Sequence, residues 1–290
     1  MQLIDEICKR ALTDGGFSER PGTGYRPDAT AWAALALSES GKQKELLEAS
    51  RSKLVASQIS DGRVCLAHDH PDSFWPTPLA VLAWQGSVNH SDPKDKAIHF
   101  LLKTAGQVSK KDPKAPYVHD TAIQGWPWIE NTYAWVNPTA TALLALHVAG
   151  YIRNERLQEA IRFLLDRQLP HGGWNYGNTL VYGQELRPQP ETSGIALASL
   201  ANCVPRGKIK RSLDYLMDCL FRIRTPLSLA WIILGLSAWG ERPHNARKLI
   251  LECFQYQDKY DSYKTTEISL LTLALLCEEG IVAAFNRRKS

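Results

Sequence analysis

Three carboxylates, a histidine–aspartate pair and a supply of indoles are the residues of this chain whose types could do chemistry. Asp28, Glu191 and Glu267 each open a small-residue, apolar stretch: Asp28-Ala-Thr-Ala-Trp32, Glu191-Thr-Ser-Gly-Ile195 and Glu267-Ile-Ser-Leu-Leu271. A carboxylate at a helix start is favoured by the helix dipole, by ~0.3–1 kcal/mol. Turned toward an apolar cavity, the same group could act as acid, base or anchor. His119-Asp120, with Glu130 and Asn131, lies in the aromatic-rich insertion from Tyr117 to Trp135. His119 with Asp120 or Glu130 could form a general acid–base pair. Aromatic faces turned to a cavity stabilise a cation by ~0.5–2 kcal/mol each. The expected catalytic residues are Asp28, His119 and Asp120. The expected substrate-binding residues are Trp32, Trp75, Trp126, Trp128, Tyr133, Trp135, Trp174, Glu191 and Glu267. His68-Asp-His70 with Asp72 is dense in ligand-type side chains, but lacks the spacing of a defined zinc site and reads as a polar lid. No metal and no cofactor is expected.

The elements that must position these residues are helices. Apolar residues recur at helical spacing almost throughout, and strand alternation is nearly absent. Six stretches, starting near Pro27, Trp75, Asn137, Pro190, Thr225 and Thr265, are apolar on nearly every face, which demands burial on both sides. Between them lie helices with one apolar stripe and one charged face: Leu3–Leu12, Gln43–Gln58, Lys94–Lys103, Glu155–Gln168, Lys208–Arg222 and Asn245–Gln257. The alternation predicts an all-α fold, an α6/α6 toroid of six inner and six outer helices. It is expected to form a single domain over 1–290, with a frayed tail from about 281. An open solenoid of helical pairs is the structural alternative. The longest connections, Arg63–Phe74, Gln107–Pro138 and Asn175–Gln189, all lead from an outer to an inner helix. They should therefore gather at one rim, over the mouth of a central cavity.

The 290 residues carry a net charge of +4, too weak to argue for nucleic acid. The short basic clusters at 206–211 and 287–289 read as solvated helix ends, with peripheral membrane contact or a partner as the second reading. Six cysteines are scattered singly, and the start of the chain lacks the charged-then-apolar order of a signal peptide. No apolar run reaches the ~20 residues that span a bilayer. A reduced, cytoplasmic protein is the expectation. Its oligomeric state is left open.

Gln168-Leu-Pro-His-Gly-Gly-Trp174 ends an outer helix, and Thr13-Asp-Gly-Gly-Phe17, Gln58-Ile-Ser-Asp-Gly62 and Gly125-Trp126-Pro-Trp128 are degenerate copies. This pattern resembles the glutamine–tryptophan repeat of the squalene-hopene cyclase and protein prenyltransferase superfamily, over nearly the whole chain. The resemblance implies a toroid around an apolar cavity that holds isoprenoid chains. Two site motifs of that superfamily are altered. In the zinc-dependent prenyltransferases an aspartate and a cysteine two positions on bind zinc; Asp28 fits, but Thr30 stands in the thiolate's place. Class II cyclases carry Asp-x-Asp-Asp-Thr-Ala, whose central acid protonates the substrate. Asp28 aligns with that acid, but Arg26 and Ala29 replace its neighbours, and His119 takes the central place in His119-Asp-Thr-Ala122. The preferred expectation is an isoprenoid or similar apolar small molecule bound in the central cavity, with proton-initiated cyclisation as its chemistry. A non-catalytic ligand-binding or interaction toroid is one alternative. An α/α-barrel carbohydrate-active enzyme, with paired carboxylates ~5–9 Å apart, is the other.

Overall fold

The computed structural model describes residues 2–67, 69–110 and 114–287. Its helices are α1 (Gln2–Cys8), α2 (Pro27–Ser40), α3 (Lys44–Val55), α4 (Pro76–Trp84), α5 (Ser91–Lys103), α6 (Val136–Val148), α7 (Glu155–Asp166), α8 (Pro190–Leu200), α9 (Lys210–Leu220), α10 (Pro226–Ser237), α11 (Ala246–Gln255), α12 (Gln257–Tyr260), α13 (Thr265–Leu276) and α14 (Ile281–Arg287). A short hairpin, β1 (Leu180–Val181) and β2 (Gln184–Glu185), interrupts the connection before α8. Helices α2, α4, α6, α8, α10 and α13 pack side by side in chain order, and α13 packs back on α2. That last contact closes the ring and overturns the open solenoid. Outside it, α3, α5 and α7 lie on α2, α4 and α6, while α9, α11 and α1 straddle successive inner pairs.

The inner helices start where proline can. Pro27, Pro76, Pro190 and Pro226 occupy the first turn, whose N–H groups need no intrahelical acceptor. Small residues then let the backbones approach. Gly194 on α8 is the extreme case: a Cβ there would lie 2.3 Å from the carbonyl oxygen of Trp231 on α10.

One contact recurs where a loop enters an inner helix. The hydroxyl of Thr30 accepts the N–H of Phe17 (2.8 Å), Thr77 that of Val64 (3.0 Å), and Thr139 that of Trp126 (2.9 Å), each thirteen residues apart. Ser193 takes the N–H of Trp174 (2.8 Å) at a spacing of nineteen, where the β1–β2 hairpin lengthens the connection. Gln168 donates its amide to Ser212 (2.7 Å), and Gly172 makes the left-handed turn (φ 103°) beside it. The hydroxyl pegs pin each turn to the inner helix that follows.

Two expectations are corrected. The tail does not fray at 281: α14 forms there, burying Ile281, Val282, Ala284 and Phe285. It packs on α6 and α8, across the ring from α13. Apolar side chains on a short helix are better buried than left in water, at ~25 cal/mol per Å2. Residues 288–290 lie outside the described residues. Nor is the axis open. Residues 29–37, 76–84, 138–146, 192–200, 229–237 and 268–274 are buried without exception. Trp32 of α2 and Trp231 of α10 meet edge to face at 5.8 Å in front of α13, which lies between their helices. Among the described residues the middle of the ring is packed with side chains. Among the described residues no single helix is long and apolar enough to cross a membrane; only α13 and α14 taken together, bent by 65°, reach that length.

Candidate functional site

The three long connections do gather at one rim. Phe74 donates its N–H to the Trp128 carbonyl (2.8 Å), and Glu130 to that of Asp72 (2.8 Å). Tyr182 reaches Pro116 (2.7 Å), and Val136 reaches Tyr176 (3.0 Å). Arg63 joins Glu130 at 2.9 Å. Backbone groups that leave regular structure must find partners somewhere, and here the loops supply one another.

Beneath this lattice lies a cavity of about 340 Å3. The insertion folds back on itself, with Gly106 N–H donated to the Gly125 carbonyl (2.9 Å) and Ser109 N–H to that of Thr121 (3.1 Å). The end of α7 forms the opposite wall. Aromatic lining comes from Tyr117, Tyr133, Trp135 and Phe163, and polar lining from Gln107, Ser109, His119, Thr121, Arg167 and Asn178. His119 is stacked on Tyr117 (4.8 Å between ring centres, 20° between planes). It is 8% exposed, and its Nδ1 is buried without a hydrogen-bond partner. Burial pushes the imidazole down to about 4; the Arg167 charge acts in the same sense, and Asp166 and Asp120 oppose it. His119 is therefore a neutral imidazole at pH 7. Asp120 serves the scaffold: its N–H bonds to Asp166 (3.0 Å), and its carboxylate accepts the Ala122 N–H (2.9 Å). Arg167 lies over the Phe163 ring (4.5 Å), is paired with Asp166, and donates to the Asp120 carbonyl (3.1 Å). Glu130, the other expected partner of His119, is committed to Arg63.

The carboxylates at the inner-helix starts are each bound to a separate local partner. Both oxygens of Asp28 accept from the Arg26 guanidinium (2.9 and 2.7 Å). Glu191 accepts from Ser228 (2.9 Å), and Glu267 caps its own helix through the Lys264 N–H (2.7 Å). Sequence reasoning passed over Glu19, which joins this rim through Thr266 (2.9 Å). Burial raises its pKa; the Thr266 bond opposes that and the Asp28 charge adds to it.

The tryptophans divide by position. Trp126 and Trp174 are fully buried, and their indole N–H groups close the ends of α5 and α7 through the carbonyls of Leu101 (3.0 Å) and Leu164 (2.6 Å). Both indoles are packed into the fold. Trp75 and Trp128 meet edge to face at 5.9 Å on the rim, away from the cavity. Of the expected site residues, His119, Tyr133 and Trp135 come together. Tyr117, Phe163 and Arg167 were missed. The alternation of Tyr117 with His119, and the place of Arg167 one residue before the Gln168 turn, were the available signals. His68 lies outside the described residues, and among those described no group of three or more metal-ligating side chains is assembled.

No protein-family model matches the chain, and no curated protein matches it in sequence. Solved structures do resemble it. A crystal structure of a protein from Actinoplanes superposes with a TM-score of 0.61 at 14% identity, over 100% of this chain and 98% of that one. The type II terpene cyclase MstE from Scytonema, in an arginine-to-alanine variant complexed with its substrate geranylgeranyl dihydroxybenzoate, gives 0.61 at 12% identity, over 98% and 97%. Its apo form gives 0.60 at 13%, over 94% and 96%. The all-α toroid is thus a terpene cyclase-like fold. At these identities the likeness is one of fold alone.

Proposed function

We propose that this chain is a terpene cyclase-like toroid that binds a small isoprenoid or similar apolar molecule, and that it does so under the rim rather than on the axis. The observation that carries the reading is the pairing of a filled axis with an aromatic-lined cavity beside α7. Proton-initiated cyclisation on the axis is disfavoured by the same geometry, since Trp32 and Trp231 occupy the space and Arg26 holds Asp28. The carbohydrate reading loses its basis, because the rim carboxylates are bound to separate local partners. An interaction toroid is the second reading. It is favoured by Val108, Val118, Trp128, Ile129, Tyr133, Tyr176 and Tyr182, which stand exposed on the same rim loops.

The cavity is small for a ligand site, near the lower end of the usual ~300–1,000 Å3. At ~30 Å3 per water-sized atom it holds about ten to a dozen non-hydrogen atoms. The test is equilibrium binding of short isoprenoids to the full chain, followed by tryptophan fluorescence. Trp135→Ala and Phe163→Ala are expected to weaken binding, and Trp75→Ala to leave it unchanged. A parallel incubation with squalene and prenyl diphosphates is expected to give no cyclised product by mass spectrometry. Turnover that Asp28→Asn abolishes would restore the axial cyclase.

A further inference from the structure

We infer that the rim cavity selects an uncharged alcohol or phenol carried on a short apolar body, with the ligand hydroxyl seated on Nδ1 of His119. The inference rests on the reading of this cavity as a ligand site and names what that site recognises.

Two observations carry it. The first is the orphaned nitrogen: Nδ1 of His119, a residue only 8% exposed, is buried and has no hydrogen-bond partner in the folded chain. Leaving such a group unpaired costs ~1–3 kcal/mol, which a ligand that makes the missing bond recovers. The Tyr117 ring stacked against the imidazole resists any rotation toward solvent. The second is the charge around it. From its own segment Asp120 and the Tyr117 phenol face the imidazole; from the end of α7, Asp166, and from the position just after it, Arg167; and Tyr133 lines the same space. Arg167 is already bound to Asp166 and to the Asp120 carbonyl, so among the described lining residues an anionic head gains no free cation. The other polar lining residues, Gln107, Ser109, Thr121 and Asn178, are neutral. In one tautomer Nδ1 accepts an O–H; in the other it donates to an oxygen. A hydroxyl satisfies either, and a hydrocarbon neither.

The probes are geraniol, geranic acid and myrcene, which share one chain and differ in the head. Calorimetric titration of the full chain at pH 7 is expected to find geraniol bound about tenfold tighter than the other two. His119→Phe should abolish that preference while keeping myrcene binding, and His119→Asn, whose amide lies near the lost Nδ1, should restore part of it. Should His119→Phe fail to fold by circular dichroism, the 15N shift of Nδ1 in the wild type decides: it moves with geraniol and not with myrcene. Equal affinities, tightest binding of geranic acid, an unmoved Nδ1, or a preference that survives His119→Phe overturns the inference and leaves the ligand site standing. If none of the three probes binds, the ligand site itself is overturned, and the inference with it.

Discussion

Trp32 and Trp231 meet at 5.8 Å with their planes 77° apart, reaching past α13 from the helices on either side of it. Edge-to-face contact is a preferred arrangement for two large rings. Here it also decides what the toroid can hold, because both rings are buried, at 6% and 4% exposure.

Trp32→Ala therefore removes packed volume, not a cavity lining. The expected loss is ~3–5 kcal/mol by urea denaturation, with helical content kept. The variant should also take up an apolar fluorescent probe that the wild type excludes. A loss below about 1 kcal/mol would mean that the indole faces open space.

Thr139→Val keeps the shape of the side chain but removes the acceptor of the Trp126 N–H. A buried donor left unpaired costs ~1–3 kcal/mol. The midpoint in urea should fall by that amount at unchanged slope. Thr30→Val, which strands the Phe17 N–H, should behave alike.

Gly194→Ala places a Cβ 2.3 Å from the Trp231 carbonyl, so α8 and α10 must separate. Overpacking of this kind costs ~1–3 kcal/mol. Gly207→Ala, with nothing within 4 Å of the new carbon, should stay within ~0.5 kcal/mol. Thermal melts of the two variants give the comparison.

His119 makes stability depend on acid. Its folded-state pKa lies at about 4, below the ordinary 6.5. Between those values the unfolded chain binds a proton that the folded chain does not, so stability falls as pH drops from 6.5 toward 4 and the effect is spent below that. His90, lowered first by burial, contributes with the same sign. Denaturation midpoints across this window should fall less steeply for His119→Asn than for the wild type. Equal slopes would place the titration elsewhere.

The sequence alone determined the helices, their alternation and the rim. Inner helices are apolar on every face and so need neighbours on every side; outer ones carry a single stripe. That distinction is local and periodic, so it can be read without coordinates. The turn pattern ending at Trp174 likewise announced its own geometry, because glycine and glutamine act within a few residues of where they stand. The closed toroid was the preferred reading of that alternation, but the contact of α13 with α2, the filled axis and the rim cavity were decided only in three dimensions. Nothing near Trp32 in the chain says that Trp231 will meet it, and nothing in Ile281–Arg287 says which helices it will cross. The same holds for the site: His119 and Tyr133 were legible as candidates by type, but Phe163 came to them from α7 and Arg167 from the position just after it. Whether a polar atom finds a partner depends on long-range packing, and that is why the unpaired Nδ1 of His119 could be recognised only in the folded chain.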